Sequence, residues 1–262
     1  MFPSMVNETE TSVLATVEKA NPEMATMPDR LPYLEEVVET VRPQVDALRV
    51  YLNNFVEVPD FLRPEEAMLS SEARGDLGAE GKLYWMDGKD GLDGYTHYMT
   101  IDDDLGYPNN YVQTLKDEFD ARGGKAIVGV HGSTFLHPME SFVESRDERF
   151  RFYEPLDKAR QVHLLGTATT MWSRDTIRLD LDTDFPMRNA SDLQLAVAAQ
   201  HQQVPMIAVP RPEQWITEKR PWDSEGFSIW KSTKAEGHSQ AKTHLAKTAV
   251  DRWVLFSDPK ES

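Results

Sequence analysis

The sequence predicts an α/β fold in one domain, because apolar β-prone runs alternate with helix-patterned segments along most of its length. A second observation agrees. The run Asp102-Asp103-Asp104 closes one of those strands, at the end where open α/β sheets gather their ligands. The third is size: 262 residues suit one large core, and the chain shows no internal repeat and no clean linker.

Residues 1–21 open polar and become weakly helical at Val13, Leu14 and Val17, which marks an N-terminal extension before a domain over residues 22–255. Glu23–Met27 reads as a short strand running into Pro28-Asp29-Arg30. Leu34, Val37, Val38 and Val41 then recur at helical spacing until Pro43, which cannot continue a helix. Leu48–Leu52 is a strand, and residues 57–81, with their Pro, Gly and acidic residues, read as irregular. Leu83–Met86 is a short apolar run before the loop Asp87–Gly94. Tyr98–Ile101 is the strand that carries the aspartates. It is followed by a helix that stops at Gly123-Gly124 and by a strand over Ala126–Val130. In the second half Gln161–Leu165 is strand-like, Asp192–Gln202 is a helix and Val204–Val209 a strand. A last helix spans about Ser239 to Val254, and residues 256–262 form a C-terminal tail.

Composition narrows the chemistry. A formal net charge of −16 opposes general nucleic-acid binding, which depends on Lys and Arg displacing counterions from phosphates. With no cysteine there is no disulfide, thiolate metal site or cysteine nucleophile. The N-terminus lacks the basic start and apolar core of a secretory signal, and no run reaches membrane-span length, so a cytoplasmic protein is expected.

Three adjacent carboxylates repel one another unless a cation neutralises them, and all-oxygen ligation suits Mg2+ or Mn2+. An acidic chain produces such a run by chance, so its position at a strand end carries the argument. Asp192 lies in the first turn of its helix, beside the candidate caps Asn189 and Ser191. It reads either as an aspartate stabilised by the helix dipole or as a general base. The seven histidines form no close metal-ligand pair, and no serine-hydrolase elbow, dinucleotide fingerprint or P-loop is present. Trp215 and Trp222, in a Pro-containing segment, are candidates for stacking on a sugar.

The stretch HYMTIDDDLGYPNNYVQTL resembles the metal-binding strand and following helix of family 2 glycosyltransferases of the bacterial capsule and polysaccharide type. In the same order, MPDRLPYLEEVVETVRPQVDALRVYLNN, GDLGAEGKLYW, KAIVGVHGSTF, VHLLGTATTMWSRD and DFPMRNASDLQLAVAAQHQQVPMIAV resemble further elements of that family, over roughly residues 22–216. The resemblance implies a GT-A fold, which is Rossmann-like with a mixed central sheet. It also implies a nucleotide-diphosphate sugar donor, UDP-sugar foremost, a Mn2+ or Mg2+ ion, and a glycan, lipid-linked or protein acceptor. Position by position, it implies that Asp104 holds the metal and that Asp102 reaches the metal or the ribose. Asp103, Arg30 and Lys82 would lie near the nucleotide or diphosphate, and Asp76 beside the nucleotide. Gly166 and Thr167 would line the sugar or acceptor pocket, Asp192 would be the base of an inverting transfer, and His238 would be a late metal ligand. The family's Glu-Asp pair at the base is Ser191-Asp192 here. Two other readings remain: a nucleotidyltransferase, which would usually show a Gly-rich basic phosphate loop, and a non-catalytic sugar-nucleotide or glycan-binding protein.

Overall fold

The structure is a computed structural model, and it describes residues 20–86, 97–219 and 236–261. The weak helix at Val13–Val17, the loop Asp87–Gly94 and Trp222 lie outside the described residues.

The chain is mixed α/β. Its first half runs β1 (Ala20–Thr26), α1 (Leu31–Val41), β2 (Arg49–Leu52), β3 (Ala67–Leu69), β4 (His97–Ile101), β5 (Leu105–Gly106), α2 (Tyr111–Asp120) and β6 (Ile127–Gly129). Then come β7 (Gly132–Phe135), β8 (Arg146–Phe150), β9 (Arg160–Val162), β10 (Leu164–Leu165) and β11 (Thr169–Trp172). The rest is α3 (Leu181–Asp184), α4 (Ser191–Gln202), β12 (Met206–Ala208), β13 (Thr217–Glu218) and α5 (Glu236–Thr248). No helix among the described residues is long and apolar enough to cross a membrane.

Eight strands form the central sheet in the order β3-β2-β1-β4-β11-β6-β12-β9. Most run one way, as a Rossmann-like sheet does; β11 opposes both β4 and β6, and β9 opposes β12. Helices cover both faces, and the strand sequences show it. On β2, Val50 and Leu52 join the apolar cluster under α1 and α2, while Tyr51 points to the cluster under α4 and α5. On β4, Met99 and Ile101 share the first face and Tyr98 the second. Strands buried on both sides read as continuous apolar runs, which is why these two stand out in the sequence.

Several boundaries differ from the sequence reading, each for a physical reason. β1 begins at Ala20, ahead of the expected start at Glu23, and includes Pro22. Residues 20–23 pair with β4, whereas pairing with β2 starts only at Glu23. Pro22 therefore has a strand neighbour on one side only, where a missing N–H is tolerated. The segment expected to be irregular holds the edge strand β3, three half-buried residues with no alternation to read. Gln161–Leu165 is two strands, because β9 pairs with the main sheet and β10 with β7 in a second one. The residues expected as a tail are packed: the Asp258 carboxylate is 2.7 Å from the Arg122 guanidinium, and both side chains are buried.

Candidate functional site

Ile101 ends β4, and the three aspartates leave the sheet immediately after it. Tyr107, fully turned inward, fixes their backbone. Its hydroxyl accepts from the Asp102 amide (2.8 Å) and donates to the Ala168 carbonyl (2.8 Å) just before β11. The strand pair β5–β13 closes over the far side, where the Lys219 amide donates to the Asp104 carbonyl at 2.8 Å. A Cβ on Gly106 would stand 2.5 Å from the Thr217 hydroxyl and would displace the Thr217 and Lys219 side chains.

The three carboxylates point to different partners. Asp102 meets the Lys82 ammonium, which comes from the short 3-10 turn Gly78–Leu83. Asp103 is 1% exposed and lies 2.5 Å from Arg30, which stands in the turn after β1. Asp104 shares the same guanidinium nitrogen at 3.1 Å. Burial opposes the charge on Arg30, yet Asp103 and Asp104 outweigh it and raise its pKa. Lys82 is likewise raised: Asp102 overcomes the effect of burial. Among the described residues, two cations facing three carboxylates leave one negative charge over. The imbalance appears at Asp104, where burial and then the Asp103 charge push the carboxyl up to about 7.

Asp102 and Asp104, each already in contact with a cationic side chain, are the carboxylates that could hold a further hard cation through oxygen. Among the described residues no group of three His, Asp or Glu side chains converges on a metal position. Asp103, expected near a nucleotide, is turned inward to Arg30 and serves the interior.

Gly166 and Thr167 form the turn into β11. The Gly166 amide donates to the His131 carbonyl at 2.8 Å, and a Cβ there would press on the His131 ring at 3.3 Å. Both the amide and the hydroxyl of Thr167 donate to one oxygen of Asp192, at 2.9 and 2.7 Å. The second oxygen of Asp192 makes no hydrogen bond among the described residues. Burial would raise this carboxyl, but the Thr167 hydrogen bonds, Lys242 and Lys82 hold it below the ordinary aspartate value. Lys82 thus feels Asp102 by contact and Asp192 through space, so triad and base candidate share one edge of the sheet.

The α4 N-terminus is not capped by Asn189 or Ser191, as the sequence suggested. The buried Glu80 carboxylate accepts from the Asn189 and Ala190 amides at 2.7 and 2.8 Å, and the Asn189 side chain accepts from the Ala79 amide at 3.0 Å. A cap supplied from so far along the chain leaves no local signal. The same clasp ties the Lys82 turn to the Asp192 helix.

Two expected site residues sit apart. His238 faces the Asn189 carbonyl at 3.3 Å, with no contact to a triad carboxylate among the described residues. Asp76 is engaged by Arg188 (2.6 Å), Asn54 (2.8 Å) and the Gly78 amide (2.9 Å), which shape the loop before Lys82. Trp215 packs on Tyr111, with ring centroids 5.7 Å apart. Sequence reasoning missed the roles of Tyr107 and Glu80. Only Tyr107 had a signal, its fixed place after the triplet.

No protein-family profile matches the chain, and no curated protein matches it in sequence.

Proposed function

We propose that this chain is an inverting glycosyltransferase that moves a sugar from a nucleotide-diphosphate donor, UDP-sugar foremost, to an acceptor hydroxyl with the help of Mn2+ or Mg2+. The observation that carries the reading is Lys82, which touches Asp102 while feeling Asp192. A donor end and a base end thereby adjoin. The mixed sheet, with β11 reversed in its middle, accords with the GT-A architecture that the resemblance implies.

Held by Asp102 and Asp104, a divalent cation would supply Lewis-acid stabilisation to the departing diphosphate. Arg30 and Lys82 keep the carboxylates in place and add positive charge on the donor side. Thr167 occupies one oxygen of Asp192 and leaves the other to accept the proton of the acceptor hydroxyl. As the acceptor's hydroxyl oxygen, its proton passing to Asp192, bonds to the anomeric carbon, the bond to the diphosphate breaks and its electron pair leaves with the phosphate. One displacement inverts the centre. The acceptor is a glycan, a lipid-linked intermediate or a protein, and a cytoplasmic setting fits this chemistry.

Calorimetry with UDP, GDP, CMP and dTDP, with and without Mn2+, tests the donor end. One nucleotide should bind only with metal, and Asp104→Ala should abolish that binding. Asp192→Asn should leave donor binding intact and reduce transfer by about a hundredfold or more, the usual scale for a general base. Normal transfer by Asp192→Asn would overturn the base assignment. One feature favours a second reading, donor binding without transfer: Arg30 and Lys82 already partner the carboxylates. Hydrolysis of a UDP-sugar in the presence of Mn2+ would exclude it.

A further inference from the structure

Arg146, at the start of β8, and Lys242, in the middle of α5, meet over one aromatic ring. The Arg146 guanidinium carbon is 4.7 Å from the centroid of Phe142, and the Lys242 ammonium is 5.9 Å from it. Phe142 is buried, and its amide donates to the Thr243 hydroxyl at 3.1 Å, which fastens α5 at this point. Neither cation makes an ion pair among the described residues, and the buried Arg146 Nε has no hydrogen-bond partner.

Of the acidic groups that face them, Glu80 is engaged through both oxygens and Asp192 through one. Both cations feel Asp192, whose bonded oxygen takes two hydrogen bonds from Thr167. Lys242 also feels Glu80, whose two oxygens cap α4. Burial lowers the pKa of Arg146 and Lys242, as it does where a positive charge is short of partners. The third cation nearby, Lys82, is held by Asp102. In a chain of net charge −16, two sheltered cations beside the base candidate thus make no ion pair among the described residues. Such charges are costly unless a ligand completes them.

We propose that Arg146 and Lys242 form a subsite for a compact anionic group, carboxylate or phosphate, carried by the acceptor next to its reacting hydroxyl. The word acceptor rests on the glycosyltransferase reading; the anion site does not. A guanidinium stacked on a ring presents its N–H edge, and the ammonium beside it supplies a second charge. Without them Asp192 would repel an acidic acceptor. With them, the anchored charge orients the hydroxyl toward the carboxylate.

The test is calorimetry on the full chain with inorganic phosphate, glucuronate, glucose 6-phosphate and neutral glucose at fixed ionic strength. Phosphate and at least one acidic sugar should bind while glucose does not, and which acidic sugar binds tells carboxylate from phosphate. Lys242→Gln and Arg146→Gln should each weaken anion binding tenfold or more, and Lys242→Arg should largely restore it. The restoring variant separates lost charge from lost folding. UDP with Mn2+, measured in the same samples, should bind the variants as it binds the parent chain. Anions binding no better than glucose, or binding the Gln variants undiminished, would overturn the subsite. Absence of UDP binding in the parent beside Lys242-dependent phosphate binding would instead sink the donor reading and leave the subsite standing.

Discussion

Tyr107 joins two backbone groups that no strand pairing reaches, the Asp102 amide and the Ala168 carbonyl. Tyr107→Phe keeps the ring and removes both bonds. The expected loss is about 1–3 kcal/mol in urea unfolding, with weaker metal-dependent nucleotide binding because the Asp102 backbone is freed. The buried imidazoles make a second prediction. His163 accepts from the Phe135 amide at 2.7 Å, so it is held neutral, and burial takes its pKa from 6.5 down to about 4. A folded-state value below the unfolded one means stability that is whole above pH 6.5 and is lost as pH falls toward 4. Asp104 acts in the opposite direction: its raised carboxyl stabilises the fold at low pH and loses that contribution as pH rises from 3.8 to about 7. The difference between parent and His163→Gln isolates the imidazole; the parent should lose more stability between pH 6.5 and 4. At this scale the aspartate triplet was legible because identity and position both spoke. The direction of the Tyr107 ring was not, since it is decided by Ala168, a residue far along the chain.

Among the elements, the turn Gly78–Leu83 has the densest set of obligations. It supplies Lys82 to Asp102, Glu80 to the start of α4, and Gly81 to a close approach under Tyr51. Glu80→Ala leaves two amides at the helix start without their acceptor. It should cost about 2 kcal/mol or more in urea unfolding and reduce any activity that depends on Asp192. In Gly81→Ala the new methyl would stand 2.6 Å from the Tyr51 ring, an overpacking expected to cost about 1–3 kcal/mol. Helices with a marked stop were readable: α1 ends at the Arg42-Pro43 turn, and α2 ends before Gly123 and Gly124, both at positive φ. This turn was not readable. A 3-10 segment has no apolar period to detect, and the helix start that Glu80 caps lies 109 and 110 residues further along the chain.

Across the whole molecule, the segment after α5 behaves as part of the core. Asp258 meets Arg122, whose side chain is 0% exposed and which also pairs with Glu118 at 2.6 Å. Asp258→Ala should destabilise the fold by about 3 kcal/mol, because one buried charge loses a partner, and truncation at residue 255 should do at least as much. Urea midpoints compared with the parent chain test both. Sequence periodicity identified most strands of the sheet but not their order, which depends on pairings such as Thr169 with Ile101 between distant segments. That pairing has a further consequence. Since β11 enters the sheet at the edge where β4 leaves it, the spacing between triad and Thr167 is metered by a hydrogen-bond ladder. Chain length does not set it. The segment with β7, β8 and Arg146, which lies in the second sheet, can therefore change in length while the triplet and Thr167 keep their separation.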